Sequence, residues 1–287
     1  MAILGQSNAL GCGVGAPTPP HPMVHQWPGS GRTRGAVVAG VDPLFHHTPA
    51  RGVGFGTTFG RELSASTGTG VLLVPTARGE SGFTSIDGHT WDPRDRSTKV
   101  NLFDFASTQI ESALALPKTT LTAVLWHQGE SDVPHMDAAQ YCDALDALIE
   151  ALRERFGAVP FLVGQMSPDR MAEGHRNYPG INSVHATVAD RHTLSSFVEG
   201  PVGMFNSDDE KIHYSASGQR ELGNRMWNAS TECRPNLRPS SGSEGDIPGS
   251  RCERVRPRRL CEVGRTRGRS ALRCRGVYGS GLMRSSR

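Results

Sequence analysis

The chain has 287 residues, enough for one large or two ordinary domains with a buried core, and its formal net charge of +3 is unevenly spread. Residues 233–287 hold fourteen Arg, no Lys and four acids, a net of +10, which leaves −7 on residues 1–232. Only Cys12 and Cys142 of the six cysteines fall in this acidic body and no CxxC spacing occurs, which excludes a disulfide framework and a zinc ribbon. No run approaches the roughly 18 consecutive apolar residues of a membrane helix.

The chain opens on the apolar run Met1-Ala2-Ile3-Leu4, of the kind that suits a strand buried on both faces, and a small-residue turn, Gly5-Gln6-Ser7-Asn8-Ala9, follows directly. Residues 11–54, rich in Gly, Pro and His, are long for a loop and read as active-site rim rather than packed core. A helix is predicted over 56–66, a strand over 71–75, a helix over 102–116 and a strand over 121–126. The best helical pattern spans 137–156, where Leu145, Leu148, Ile149, Leu152 and Phe156 share a face and Gly157 supplies the stop. A strand over 161–164, a helix over 180–190, a weaker strand near 196–198 and a helix over 217–227 complete the body. This alternation predicts an α/β fold, a flavodoxin-like three-layer α/β/α arrangement around a central parallel sheet of about five strands. In such a sheet ligands bind beyond the carboxyl ends of the strands, so the residues just after each apolar run are the candidates for chemistry.

Polar clusters stand at those places. Arg78-Gly79-Glu80-Ser81-Gly82 follows the second run, Trp126-His127-Gln128-Gly129-Glu130-Ser131-Asp132 ends the third, and Asp208-Asp209-Glu210-Lys211-Ile212-His213 comes late in the body. With Gly5-Gln6-Ser7-Asn8 they resemble, in order and spacing, the four blocks of the SGNH hydrolase superfamily. The closer resemblance is to its carbohydrate-esterase branch, the sialate O-acetylesterase-like and plant acetylxylan-esterase-like proteins, and it covers about residues 3–230. That branch shows GQSN, a Gly-rich second block, a WHQGE-type third block and an acid-x-x-His ending.

A serine hydroxyl needs a base, an orienting acid and oxyanion donors before it attacks an ester. The resemblance supplies them. It implies Ser7 as nucleophile, His213 as base and, three residues before it, Glu210 where the family usually has Asp, with Asp209 the alternative acid. It implies oxyanion donors from the backbone N–H groups of Ser7 and Gly79 and the side-chain amide of Gln128. Gln6, Asn8 and Glu130 are expected to support the nucleophile loop, Glu130 being also a rival acid for His213. Ser131 and Asp132 read as loop or cap residues. Trp91, Phe83 and Tyr178, predicted in loops, either stack on a sugar face or pack a lid.

The resemblance thus implies a serine esterase removing acetyl groups from carbohydrates, or another small ester, with no cofactor and no metal. His21, His25, His46 and His47 lack the acids and spacing of a metal site, and Gly11-Cys12-Gly13-Val14-Gly15 does not open a dinucleotide fingerprint. Alternatives are a broader lipase or thioesterase of the same superfamily and a non-catalytic carbohydrate-binding relative. An α/β-hydrolase elbow would want Gly where Ala9 stands. No leader pattern precedes Gly5, so the location is cytoplasmic by default, or secreted if the true start lies upstream. The domain is expected to span 1–231. Residues 232–287 read as a disordered Arg-rich tail, either an artefact of GC-rich DNA read in a shifted frame or a non-specific nucleic-acid binder.

Overall fold

The computed structural model describes residues 1–174 and 177–233. Contacts divide the chain into two units, Met1–Pro239 and Ser240–Arg287, and the second lies wholly outside the described residues, as do the expectations for the Arg-rich tail beyond Cys233.

Strand β1 (Ala2–Gly5) leads into a one-turn helix α1 (Ser7–Leu10), followed by β2 (Val24–Gln26), β3 (Val38–Ala39) and α2 (Phe55–Thr67). After β4 (Val71–Pro75) come a short parallel pair, β5 (His89–Thr90) and β6 (Val100–Asn101), and then α3 (Leu102–Leu114). The alternation continues through β7 (Val124–His127), α4 (Ala138–Phe156), β8 (Phe161–Gly164), α5 (Pro168–Met171), α6 (Tyr178–Ala186), α7 (Val188–Arg191) and β9 (Ser195–Val198). An antiparallel hairpin, β10 (Phe205–Ser207) with β11 (Glu210–Tyr214), precedes α8 (Ala216–Glu232).

Seven strands form the main sheet in the order β3-β2-β4-β1-β7-β8-β9, parallel except for β3. This is the expected α/β architecture with two more strands than the sequence pattern indicated. The extra pair, β2 and β3, comes from the segment read as active-site rim. Val24, Leu44 and Val53 of that segment are buried in the core, so the rim reading is corrected. Strands of three and two residues are too short to set up a visible alternation. The helix expected over 180–190 is interrupted at Thr187 and forms two pieces.

Successive residues of a strand face opposite sides. Ala2 and Leu4 of β1 pack into a core completed by α3, α4 and α6, whereas Ile3 packs on the other face with Phe55, Phe59 and Leu63 of α2 and Leu222 and Met226 of α8. Those two cores make the three layers. In α4 the stripe Tyr141, Leu145, Leu148, Ile149 and Leu152 is buried, at roughly 1.5–3 kcal/mol for a large apolar side chain, and outweighs intrinsic helix propensity. An Asp137–Gln140 capping box starts the helix and Gly157, at φ +79°, stops it.

The placement of β1 matters most for the site. It is paired on one side with β4 (Ala2 opposite Val74) and on the other with β7, from Ala2 opposite Val124 to Gly5 opposite His127. From β1 the chain goes out to β2 and β3 at the edge, returns to β4 beside β1 and then crosses to β7, so the carboxyl ends of β4, β1 and β7 adjoin at the point where the winding changes sides.

Candidate active site

At the end of β1 the backbone turns sharply. Gly5 has φ +124°, and a Cβ there would lie 2.1 Å from the carbonyl oxygen of His127, so only glycine lets β1 stay against β7 up to the turn. Gln6 N–H still donates to His127 C=O at 2.9 Å, and Ser7 then begins α1.

The residues on either side of Ser7 are buried amides, each acting as a tie. Asn8, fully buried, donates from Nδ2 to Ile212 C=O at 3.0 Å, while its Oδ1 accepts Tyr214 N–H at 3.1 Å and Gln219 Nε2 at 3.1 Å. It therefore grips β11 immediately before and after His213. Gln6 reaches the opposite way: its Oε1 accepts Gln128 Nε2 at 3.1 Å, Ser131 N–H at 3.1 Å and Gly129 N–H at 3.4 Å.

His213 pairs with Glu210. Its Nδ1 lies 3.0 Å from Glu210 Oε2, and Glu210 Oε1 accepts the backbone N–H groups of Ile212 and His213 at 3.0 and 3.2 Å. The carboxylate is thus fixed by its own strand before it meets the imidazole. Asp209, the alternative acid, is exposed in the hairpin turn, and no hydrogen bond joins it to His213. Among the described residues Ser7 Oγ makes no hydrogen bond, so its hydroxyl is left unengaged. The N–H groups of Ser7 and Gly79 likewise have no acceptor among the described residues.

Gln128 stands differently from the expectation of an oxyanion donor. It is fully buried, and its Nε2 faces three protein acceptors: Asp132 Oδ2 at 2.8 Å, Gln6 Oε1 at 3.1 Å and Ser81 C=O at 3.3 Å. Its Oε1 accepts the Tyr141 hydroxyl at 2.9 Å. Two amide hydrogens against three acceptors leave none for a substrate.

Glu130 lies in the same buried layer. Its Oε1 is 3.5 Å from Asn8 Nδ2 and 3.8 Å from His127 Nδ1. Burial pushes its carboxyl up to about 7, against the opposing pull of His213 and the Asn8 bond. No hydrogen bond or ion pair joins Glu130 to His213, whereas Glu210 is bonded to it.

Trp91, Phe83 and Tyr178 are not sugar platforms. All three are buried, Trp91 and Phe83 within 5.3 and 5.6 Å of the Trp126 ring, where they fill the core under the site. Phe83 and Trp91 lie in the irregular segments after β4, and their burial comes from packing against Trp126 of β7. His46 is also structural, its Nδ1 accepting Ala77 N–H at 3.0 Å. Sequence reasoning missed Tyr141 and His185, whose Nε2 lies 2.9 Å from the Tyr141 hydroxyl, because helical spacing marks both positions only as core. It also missed Gln219, which reaches Asn8 from α8.

A family model described as carbohydrate esterase, sialic acid-specific acetylesterase, matches residues 2–232. Among solved structures, NanS superposes with a TM-score of 0.67 at 20% identity, covering 80% of this chain and 95% of that one. A protein from Arabidopsis thaliana gives 0.65 at 20% identity, covering 80% and 96%. A carbohydrate acetylesterase from Xanthomonas citri gives 0.55 at 18% identity, covering 81% of this chain and 55% of that one. At such identities these likenesses show the fold alone. No curated protein sequence matches.

Proposed function

The chain belongs to the carbohydrate esterase family of sialic acid-specific acetylesterases and is a carboxylic ester hydrolase; from that premise we propose that it removes O-acetyl groups from a carbohydrate through an acyl-serine intermediate on Ser7. One observation carries the mechanism: the Glu210–His213 pair sits on a strand that Asn8, the neighbour of Ser7, holds from both sides of His213.

In this reading Ser7 Oγ attacks the acetyl carbonyl while His213 Nε2 takes its proton. Glu210 accepts the Nδ1 hydrogen, which fixes the tautomer and stabilises the imidazolium. The tetrahedral oxyanion receives the free backbone N–H groups of Ser7 and Gly79, each donor being worth about 10²–10³ in rate. Collapse expels the sugar hydroxyl, which takes its proton from His213, and water activated by the same imidazole then releases acetate. Gln128 and Glu130 stand behind the loops in this scheme and do not touch the substrate.

The test is hydrolysis of p-nitrophenyl acetate, and of a panel of acetylated sialic acid, xylan and simple sugars, by the wild type and Ser7→Ala. The expected result is turnover by the wild type, at least 10³-fold loss in the variant, and slower cleavage of the octanoyl than the acetyl ester. Equal rates for wild type and variant would overturn the serine mechanism, and faster octanoyl cleavage would make the protein a lipase or thioesterase.

A further inference from the structure

Asp132 is fully buried, and among the described residues no basic side chain pairs with it. Its charge is met by N–H groups alone. Oδ2 accepts Phe83 N–H at 2.8 Å and Gln128 Nε2 at 2.8 Å, and Oδ1 accepts Thr84 N–H at 2.9 Å. A buried carboxylate is expensive unless such donors compensate it, and a merely apolar contact at this place would avoid the cost.

The segment it grips is the one that carries Gly79. From Gly79 to Thr84 the chain has no regular structure, and Glu80 is held at φ +52°, which a side-chain-bearing residue adopts only under constraint. Local bonds shape the turn: Arg78 Nη1 donates to Gly79 C=O and Glu80 C=O, and Ser81 Oγ to Arg78 C=O. Thr90 Oγ1 donates to Phe83 C=O and Trp91 Nε1 to Ser81 Oγ, fixing it to the segment at β5. Asp132, with Gln128, ties it to the end of β7 and, through Gln6, to the turn that carries Ser7. Gly82 belongs to the same device, since a Cβ there would lie 2.5 Å from Asp132 Oδ1.

We propose that Asp132 is a positioning residue for the oxyanion site: through the N–H groups of Phe83 and Thr84 and the amide of Gln128 it sets the Gly79 loop against Ser7, so that the two backbone donors converge on one oxygen. The proposal rests on the serine-esterase reading above. It makes the continuous path Gln6–Gln128–Asp132–Phe83/Thr84 the means by which nucleophile loop and oxyanion loop keep a fixed spacing.

The test uses the full chain and the variants D132N and G82A, with kcat and KM for p-nitrophenyl acetate referred to active sites titrated with a fluorophosphonate, thermal melting, and inhibition by a boronic acid whose adduct places an oxygen in the oxyanion site. D132N keeps the shape but turns an amino group toward a donor; G82A presses on the carboxylate without removing it. The expected result is a fall of about 30- to 300-fold in kcat, the scale of a misplaced oxyanion donor, with KM changed less than threefold and boronate affinity falling in step with kcat/KM. A kcat per titrated site within twofold of wild type, or a rise in KM that accounts for the loss, would overturn the proposal. If D132N does not fold, G82A decides by the same readouts, and loss of the folded state in both would assign Asp132 to the fold alone. A wild type that fails to hydrolyse the ester would instead overturn the functional reading, and this inference with it.

Discussion

Replacing Asn8 with Ala should damage stability and catalysis together. The substitution leaves Ile212 C=O, Tyr214 N–H and the Gln219 amide without partners in a site closed to solvent. Each unsatisfied buried group costs about 1–3 kcal/mol, and partial filling of the small cavity by water keeps the three from adding fully, so a loss of about 3–5 kcal/mol is expected. Since the same bonds hold β11 against the Ser7 turn, residual folded enzyme should also lose about 10²-fold in kcat/KM, the scale of an ångström-sized misplacement of reacting groups. Urea denaturation gives the first quantity, and p-nitrophenyl acetate hydrolysis at a temperature where the variant is still folded gives the second. A variant destabilised by less than about 1 kcal/mol and active within twofold of wild type would refute the idea that Asn8 couples nucleophile and base.

Glu210→Gln should lower kcat by about 10²–10⁴-fold by permitting the wrong His213 tautomer, whereas Asp209→Asn, in the exposed hairpin turn, should stay within threefold on the same ester; the reverse order would make Asp209 the acid. Glu130 is pushed up to about 7 by burial, so the folded state holds a proton there that the unfolded chain gives up near its ordinary value of 4.5. Stability from this group is therefore lost as pH rises from 4.5 through 7, and Glu130→Gln should gain on wild type by roughly 3 kcal/mol across that window in urea titrations; a gain independent of pH would contradict it. The buried histidines act in the opposite sense. Burial pushes His46 and His185 down to about 3 and His47 and His127 to about 4, so their contribution is intact above 6.5 and lost as pH falls toward 4. With four such groups against one Glu130, the urea midpoint should be lower at pH 5 than at pH 7.5, and a higher midpoint at pH 5 would rule this out.

Much of this arrangement was legible in the sequence because each element carried its own signal. Val71–Pro75 and Phe161–Gly164 are strands in the positions their apolar runs indicated, and α4 begins and ends where its cap residues stand. The Glu210–His213 pairing was implied by the resemblance of the acid-x-x-His block, and in the structure the two side chains, three residues apart, lie within hydrogen-bond distance. The parts that stayed hidden depend on long-range folding. β2 and β3 are too short to show periodicity and exist because β4 offers an edge to pair with. Gln128 was read from its block as facing the substrate, yet its direction is set by Asp132, Gln6 and Tyr141, residues drawn from separate elements. Trp91 and Phe83 look like exposed loop aromatics until Trp126 is placed beneath them.

The central claim is that Ser7 is the nucleophile, and its most direct test is intact-mass and peptide mapping of the protein after reaction with a fluorophosphonate. The account predicts one adduct per chain, on Ser7, absent from Ser7→Ala and slowed by prior incubation with substrate. An adduct on another residue, or unchanged labelling of Ser7→Ala, would contradict it.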